Sequence, residues 1–486
     1  MLNPISKDEA TRMAAFLAEQ GYTETGLRQT LGLRELPAPR LRNLPRLTSL
    51  TEGPNCLNTL VRWFWIGLPQ AAEAATVHVP AWFLTLALDC GLLRRENTEV
   101  VPAAMLFPLD KFFFVADHTS KLELSDSDLV LWPNPTSRIL ARFTVRRHSR
   151  ATLDLGTGSG VQAVFAAAHS DTVVATDLNR RAVSFAAFSA RLNGADNVEA
   201  VEGDGFAPVA DRTFDLIVSN PPFFIRPAEQ YLFCDNPLEL DNLCRKLARE
   251  APRHLSEGGY FQMLCEWAGV EGQSWQERVS EWFENSGCDA VVLKGYSQDP
   301  AEYAEEHIRA VDGTTAADAQ LYENYMNYYR CHKVEAIHGG GITMHRRSGR
   351  NWVRLEEVQH TPKDPFGDLV VEIFASQNFL LSHESDNELL ETRPKLSPSL
   401  RLEQVFQRED GGWKQVELTL RMPKGLNPYI GVQPVVAEFL AQCDGNRSLK
   451  EVVDSFASKV DAPAQQVQQE CLAAIRKLIE RGFLLY

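Results

Sequence analysis

The sequence predicts an α/β protein built on an open, mostly parallel sheet, with a helical domain before it and an α+β domain after it. Three observations carry that prediction. First, four apolar, β-branched runs (Thr152–Leu155, Thr172–Thr176, Val198–Val201 and Phe214–Val218) alternate with helix-like segments, the rhythm of βαβ units. Second, each run ends in glycines or polar residues: Gly156-Thr157-Gly158-Ser159-Gly160, then Asp177, then Glu202-Gly203-Asp204-Gly205, then Ser219-Asn220-Pro221-Pro222-Phe223. Ligands of open α/β sheets bind outside the carboxyl ends of the strands, so these stretches are expected to share one site. Third, the character of the chain changes on either side of this region, which predicts domains at 1–125, 126–358 and 359–486 of the 486 residues.

Composition sets the outer bounds. Hydrophobic content of 44% and charged content of 23% are those of an ordinary globular protein. The longest charge-poor apolar run, Leu57–Leu68, is short and contains Arg62, so no membrane association is expected. Met1-Leu2-Asn3-Pro4 lacks the basic and apolar regions of a signal peptide, and the nine cysteines form no CxxC pair. Both point to a cytoplasmic location with reduced thiols, and no metal ligand set is expected. A formal net charge of −15 weighs against broad phosphate-driven binding of nucleic acid.

The N-terminal domain (1–125) reads as helices over Lys7–Glu19, Glu24–Leu31, Leu57–Ile66 and Pro80–Asp89. A loop with Pro37, Pro39, Arg34, Arg40, Arg42 and Arg46 interrupts them. One hairpin, Glu99–Phe107 with Lys111–Ala116, is expected to follow, giving the order of a winged helix. The aromatic cluster Trp63, Phe64, Trp65, Trp82 and Phe83 is expected in its core.

Immediately before the first strand, Arg138, Arg142, Arg146 and Arg150 recur every four residues, with Arg147 beside them and no acid between. On one continuous helix they would form a basic stripe, the best candidate footprint for RNA in an acidic chain.

In Gly156–Gly160 the glycines let backbone approach a ligand at a helix N-terminus. The dinucleotide fingerprint requires glycine where this chain has Val161, which argues against NAD. Asp177, about twenty residues past the first glycine, stands where a carboxylate accepts ribose hydroxyls. At the fourth strand end, two prolines remove two backbone donors. The Asn220 oxygen and the Pro221 carbonyl remain as acceptors beside the Phe223 ring, a set suited to a planar group carrying –NH2.

Together these residues resemble the class I S-adenosylmethionine-dependent methyltransferases, in the branch whose fourth strand ends in (N/D)PP(F/Y/W). HemK-type glutamine methyltransferases and several RNA and DNA amino-methyltransferases belong to that branch. The resemblance covers roughly residues 130–300. It implies a Rossmann-like sheet and S-adenosylmethionine as cofactor. It further implies that Asp154, Gly156, Thr157, Gly158 and Gly160 hold the methionine end, Asp177 the ribose, and Asp204-Gly205 the adenine amine. Asn220, also counted at the cofactor's edge, would act with Pro221, Pro222 and Phe223 on the substrate nitrogen.

Phe223 and the arginines lean towards a nucleobase amine in RNA as the methylated group. The alternative is a glutamine side-chain amide of a protein such as a translation factor. A small molecule or peptide is a further alternative, as is a binding protein that senses the cofactor, although the intact NPPF argues against the last.

Past NPPF, Leu240–Leu255 reads as an amphipathic helix, with strands over Tyr260–Cys265, Ala290–Leu293 and Val334–Arg346. The last is expected to be broken by Gly339-Gly340-Gly341. A helical insertion near 300–330 carries Tyr322, Tyr325, Tyr328 and Tyr329, as core or as a lid. In the C-terminal domain Asp410-Gly411-Gly412 signals a hairpin, and helices over Val435–Gln442, Leu449–Val460 and Pro463–Arg481 follow. Residues 430–486 resemble small winged-helix or PqqD-like peptide-binding modules.

Overall fold

The computed structural model describes the chain except residues 37–38, 40–42, 120, 122–127, 228–237, 310–315, 359–361, 424–425 and 427, together with the side chains of 309 and 316–318. Pro37, Arg40 and Arg42 of the expected basic loop therefore lie outside the described residues. The chain forms two compact units, one of residues 1–141 with 146–357 and one of 142–145 with 358–486.

An eight-stranded sheet organises the first unit. Its strands, numbered along the chain, are β1 (Ser149–Leu155), β2 (Ser170–Asp177), β3 (Val198–Glu202), β4 (Phe214–Ser219), β5 (Leu255–Val270), β6 (Cys288–Gln298), β7 (Val334–Arg346) and β8 (Val353–Glu357). Their order across the sheet is 3-2-1-4-5-7-6-8. Strands β3, β2, β1, β4 and β5 run parallel, and β7 enters antiparallel between β5 and β6. The order reverses between β1 and β4, which makes their carboxyl ends the topological switch point where α/β sheets form a crevice. Ser219 ties the two ends together by donating its hydroxyl to the Leu155 carbonyl at 2.9 Å. This is a Rossmann-like fold, as the alternating apolar runs predict.

Helices α1 (Pro135–Phe143), α2 (Val161–Ala167), α3 (Arg180–Leu192) and α4 (Asn242–Glu250) surround the parallel strands, and α5 (Pro300–Arg309) and α6 (Ala316–Cys331) form the insertion between β6 and β7. Strand β7 is continuous through Gly339–Gly341, contrary to the expected break. The glycines there make room for neighbours: a Cβ at Gly340 would stand 2.1 Å from the Leu293 carbonyl, and one at Gly339 would enter the Tyr296 ring.

The expected 1–125 domain and the sheet fall within the same compact unit. Their core is shared: Trp63, Phe64, Trp65 and Phe83 pack in one apolar cluster with Phe185 and Phe188 of α3. Trp82 is only partly buried and lies under the Arg12 guanidinium, 3.8 Å away. Where one hairpin is expected there are two, Leu93–Glu96 with Glu99–Pro102 and Met105–Leu109 with Phe112–Ala116. Each turns on a residue at positive φ, Asn97 (56°) and Asp110 (53°), the residue types that tolerate left-handed backbone in tight turns. The second hairpin is held against α3, with the Phe113 N–H donating to Asn193 Oδ1 and the Val115 N–H to Ser189 Oγ, each at 2.9 Å.

The second unit has its own core of Leu449, Val452, Ile475, Ile479 and Phe483. Its elements are the hairpin Arg401–Glu409 with Gly412–Arg421, a third strand Tyr429–Gly431, and helices Gly367–Ser382, Pro434–Leu440, Leu449–Ala457 and Ala464–Glu480. Among the described residues no helix is long and apolar enough to cross a membrane.

The arginine stripe does not form. Helix α1 ends at Phe143, because β-branched Thr144 and Val145 are weak helix formers and the chain then turns into β1. Arg138 pairs with Glu24 at 3.2 Å. Arg142 donates to the carbonyls of Pro362 and Lys363, and Arg146 to that of Ala141. Arg150 lies at the start of β1, where it grips both oxygens of Asp215. Arg146, Arg147 and Arg150 are exposed, but on no common helix face.

Candidate active site

The four strand-end stretches meet around a cavity of ≈ 720 Å³. Its wall includes Asp154, Gly156, Thr157 and Gly158 after β1, Asp177 after β2, and Asp204 and Gly205 after β3. Asn220, Pro221, Pro222 and Phe223 close it after β4. Of the residues picked out by sequence, Gly160 alone stays off this wall. A Cβ there would stand 3.0 Å from the Ala186 Cα, so Gly160 lets α2 pack against α3.

The loop after β1 is held from beneath. Asp154 is 1% exposed, and its Oδ2 accepts the Thr157 hydroxyl at 2.6 Å and the Ala163 N–H at 2.9 Å. Burial pushes the Asp154 carboxyl up to about 7 against the lowering effect of those two hydrogen bonds. The N–H groups of Gly156 and Thr157 both donate to the Thr176 carbonyl, and that of Gly158 to Asp177. These amides are therefore engaged within the protein, and what the glycines give a ligand is space. Gly156 (φ 75°) and Gly158 (φ 55°) hold left-handed backbone, and a Cβ at either would meet nothing within 4 Å.

Asp177 accepts from Gly158 N–H through Oδ2 and from Asn179 N–H through Oδ1, at 2.9 and 2.8 Å. Burial raises its carboxyl above the usual value, and these two bonds oppose that rise. Leu178, 59% exposed, presents an apolar surface to the cavity next to it. Also on the cavity wall, the Phe206 ring stacks on His254 with centroids 4.5 Å apart.

At the other end, Asn220 donates an Nδ2 hydrogen to Thr136 Oγ1 at 3.2 Å. Its Oδ1 is buried and has no hydrogen-bond partner among the described residues. Phe223 is 8% exposed, and its ring meets Phe224 edge to face.

Two residues, Thr136 on the cavity wall and Tyr303 behind it, escape sequence reasoning. Thr136 lines the cavity from the first turn of α1. The insertion grips the chain two residues past NPPF: Ile225 donates its N–H to the Tyr303 hydroxyl and accepts at its carbonyl from the Tyr329 hydroxyl. Tyr303 in turn donates to the buried carboxylate of Glu266 at 2.6 Å, as does Tyr296. Tyr325 and Tyr329 are buried, Tyr322 and Tyr328 partly so, and all four pack in the cluster around Ile225.

A family model described as the methyltransferase small domain matches residues 133–268, and one described as a domain of unknown function (DUF7782) matches residues 371–486. The chain is 37% identical over 127 residues to the ribosomal protein uL3 glutamine methyltransferase of Bradyrhizobium diazoefficiens, covering 24% of this chain and 39% of that one. It is 32% identical over 188 residues to the release factor glutamine methyltransferase of Geobacter sulfurreducens, covering 35% and 62%. The release factor glutamine methyltransferase of Xylella fastidiosa strain Temecula1 is 32% identical over 192 residues, covering 36% and 67%. The chain thus spans less than two thirds of the length of the first two of these relatives. It belongs to the class I S-adenosylmethionine-dependent methyltransferases.

The residues present fit that cofactor. The open cradle at Gly156 and Gly158, a carboxylate already oriented at Asp177 and an apolar shelf at Leu178 lie along one wall of a cavity of sufficient volume.

Proposed function

We infer that this protein is a glutamine N-methyltransferase that modifies the side-chain amide of a protein in the cytoplasm. The observation that carries the reading is Asn220 Oδ1, a buried acceptor without a partner among the described residues, in a residue that lines the cavity. The names of the relatives, glutamine methyltransferases of ribosomal protein uL3 and of release factor, support glutamine as the acceptor. The nucleobase reading loses its support with the dispersal of the arginines among protein partners.

S-adenosylmethionine supplies an electrophilic methyl group on a sulfonium leaving group. In this reading Asp177 holds the ribose hydroxyls, Leu178 and the Asp204-Gly205 turn flank the adenine, and Gly156 and Gly158 leave room for the methionine end, with Asp154 and Thr157 bracing that loop. The residues after β4 serve the other reactant. An amide nitrogen is a poor nucleophile because its lone pair is delocalised into the carbonyl. Accepting its N–H bonds at Asn220 Oδ1 and the Pro221 carbonyl favours a pyramidal nitrogen with the lone pair directed at the methyl group. Phe223 offers a face to the amide plane, and Pro222 keeps the turn rigid. Positioning and electrostatics then carry the rate, and no general base is needed before the methyl group moves.

The test incubates the enzyme and methyl-labelled cofactor with release factor, ribosomal protein uL3 and total RNA, each prepared from cells lacking the enzyme. Label in protein, at glutamine, is expected. Label confined to RNA or to small molecules would overturn the reading.

A further inference from the structure

Behind Asn220 runs a chain of hydrogen bonds that leaves its amide only one way round. It begins at Asn134, whose Oδ1 accepts the backbone N–H of Ser137 at 2.9 Å. Only an oxygen can accept there, so the Asn134 amide is fixed. The same Oδ1 accepts the Ser137 hydroxyl at 3.1 Å and the Thr136 hydroxyl at 2.7 Å. Thr136 has a single hydroxyl proton, and it is committed to Asn134. Towards Asn220 it can therefore offer only a lone pair. The Asn220 end facing it must be the donor, and Nδ2 stands 3.2 Å away. Oδ1 is left at the end of the amide away from Thr136, buried and unpartnered among the described residues, in a side chain that lines the cavity.

We propose that Thr136, with Asn134 behind it, is a positioning residue that sets the Asn220 amide with its acceptor towards the substrate nitrogen. The inference rests on the reading of Asn220 as the acceptor of a substrate N–H. The opposite orientation of the amide would bring an N–H against an N–H, and an asparagine free to flip would spend part of its time there. Rigid geometry supports the relay: Pro135 sits at the helix entry between Asn134 and Thr136, and its fixed φ suits the first helical turn.

The test compares Thr136→Val, which keeps the shape but has no lone pair, with Thr136→Ser, which restores the hydroxyl. Single-turnover methylation of release factor or uL3, whichever takes up label, is measured with the full-length enzyme. Thr136→Val should lower kcat about tenfold, the effect of one lost hydrogen bond on the productive amide orientation. The KM for the protein and the affinity for S-adenosylmethionine should stay at the parental values, and Thr136→Ser should recover most of the rate. An atomic-resolution crystal structure of the valine variant should show the Asn220 amide in both orientations, against one in the parent. A parental rate with a single orientation in Thr136→Val would overturn the relay. If Asn220→Ala is slow while Thr136→Val runs at the parental rate, the relay alone fails. If Asn220→Ala also runs at the parental rate, the acceptor reading fails with it.

Discussion

Asp177 Oδ2 lies 2.9 Å from the Gly158 nitrogen, so the carboxylate after β2 clasps the glycine loop after β1 across nineteen residues of sequence. Its other oxygen is held by the Asn179 N–H, which leaves the side chain with one orientation before any ligand arrives. Asp177→Ala should weaken S-adenosylmethionine binding by roughly 1.5–3 kcal/mol, the worth of hydrogen bonds to a charged acceptor. Titration calorimetry on the folded variant measures it. Unchanged affinity would remove Asp177 from the cofactor site.

The two kinds of glycine in the loop should separate cleanly. At Gly158 a methyl group projects into the open cavity, so Gly158→Ala should lose cofactor affinity, with a stability loss of about 1–2 kcal/mol from left-handed backbone. At Gly160 (φ 85°) the same backbone strain is joined by contact with Ala186, so Gly160→Ala should lose more stability than Gly158→Ala. Paired denaturant melts and cofactor titrations decide this, and equal losses of stability in the two variants would contradict it.

The same loop shows which parts of the site are legible in the sequence. The four strand ends are legible because buried parallel strands are written as apolar runs and their exits carry the polar residues. Asp177, Asn220 and Phe223 are found that way, whereas Asp154, inside the first run, is reached only through the family resemblance. Spacing cannot tell a glycine that faces a ligand from one that faces a helix, which is why Gly160 is assigned with its neighbours. The four-residue recurrence of arginines assumes a helix that Thr144 and Val145 end, so periodicity misleads once it crosses an element boundary. Thr136 meets Asn220, and Tyr303 and Tyr329 meet Ile225, across 84, 78 and 104 residues, and no local pattern encodes those pairings.

Stability should depend on pH through Asp154. Burial raises this carboxyl from an ordinary value of 3.8 to about 7 in the folded chain. The folded state therefore binds the proton more tightly than the unfolded state. That contribution is fully present below about pH 4 and is lost as pH rises through about 7. The melting temperature of the parent should fall relative to that of Asp154→Asn over this range, as read by scanning calorimetry at a series of pH values. A constant difference between the two proteins across the range would contradict the assignment.

The most direct test of the account is single-turnover methyl transfer by Asn220→Ala. If the Asn220 oxygen accepts from a nitrogen that becomes pyramidal only as it reacts, its removal should lower kcat by about 10²–10³. Affinity for S-adenosylmethionine should barely change, because in the proposed reading the amide serves the substrate and not the cofactor. Asn220→Asp, which keeps an oxygen in place, should retain more activity than the alanine variant. Methylation at the parental rate by Asn220→Ala would make NPPF a structural turn and contradict the mechanism.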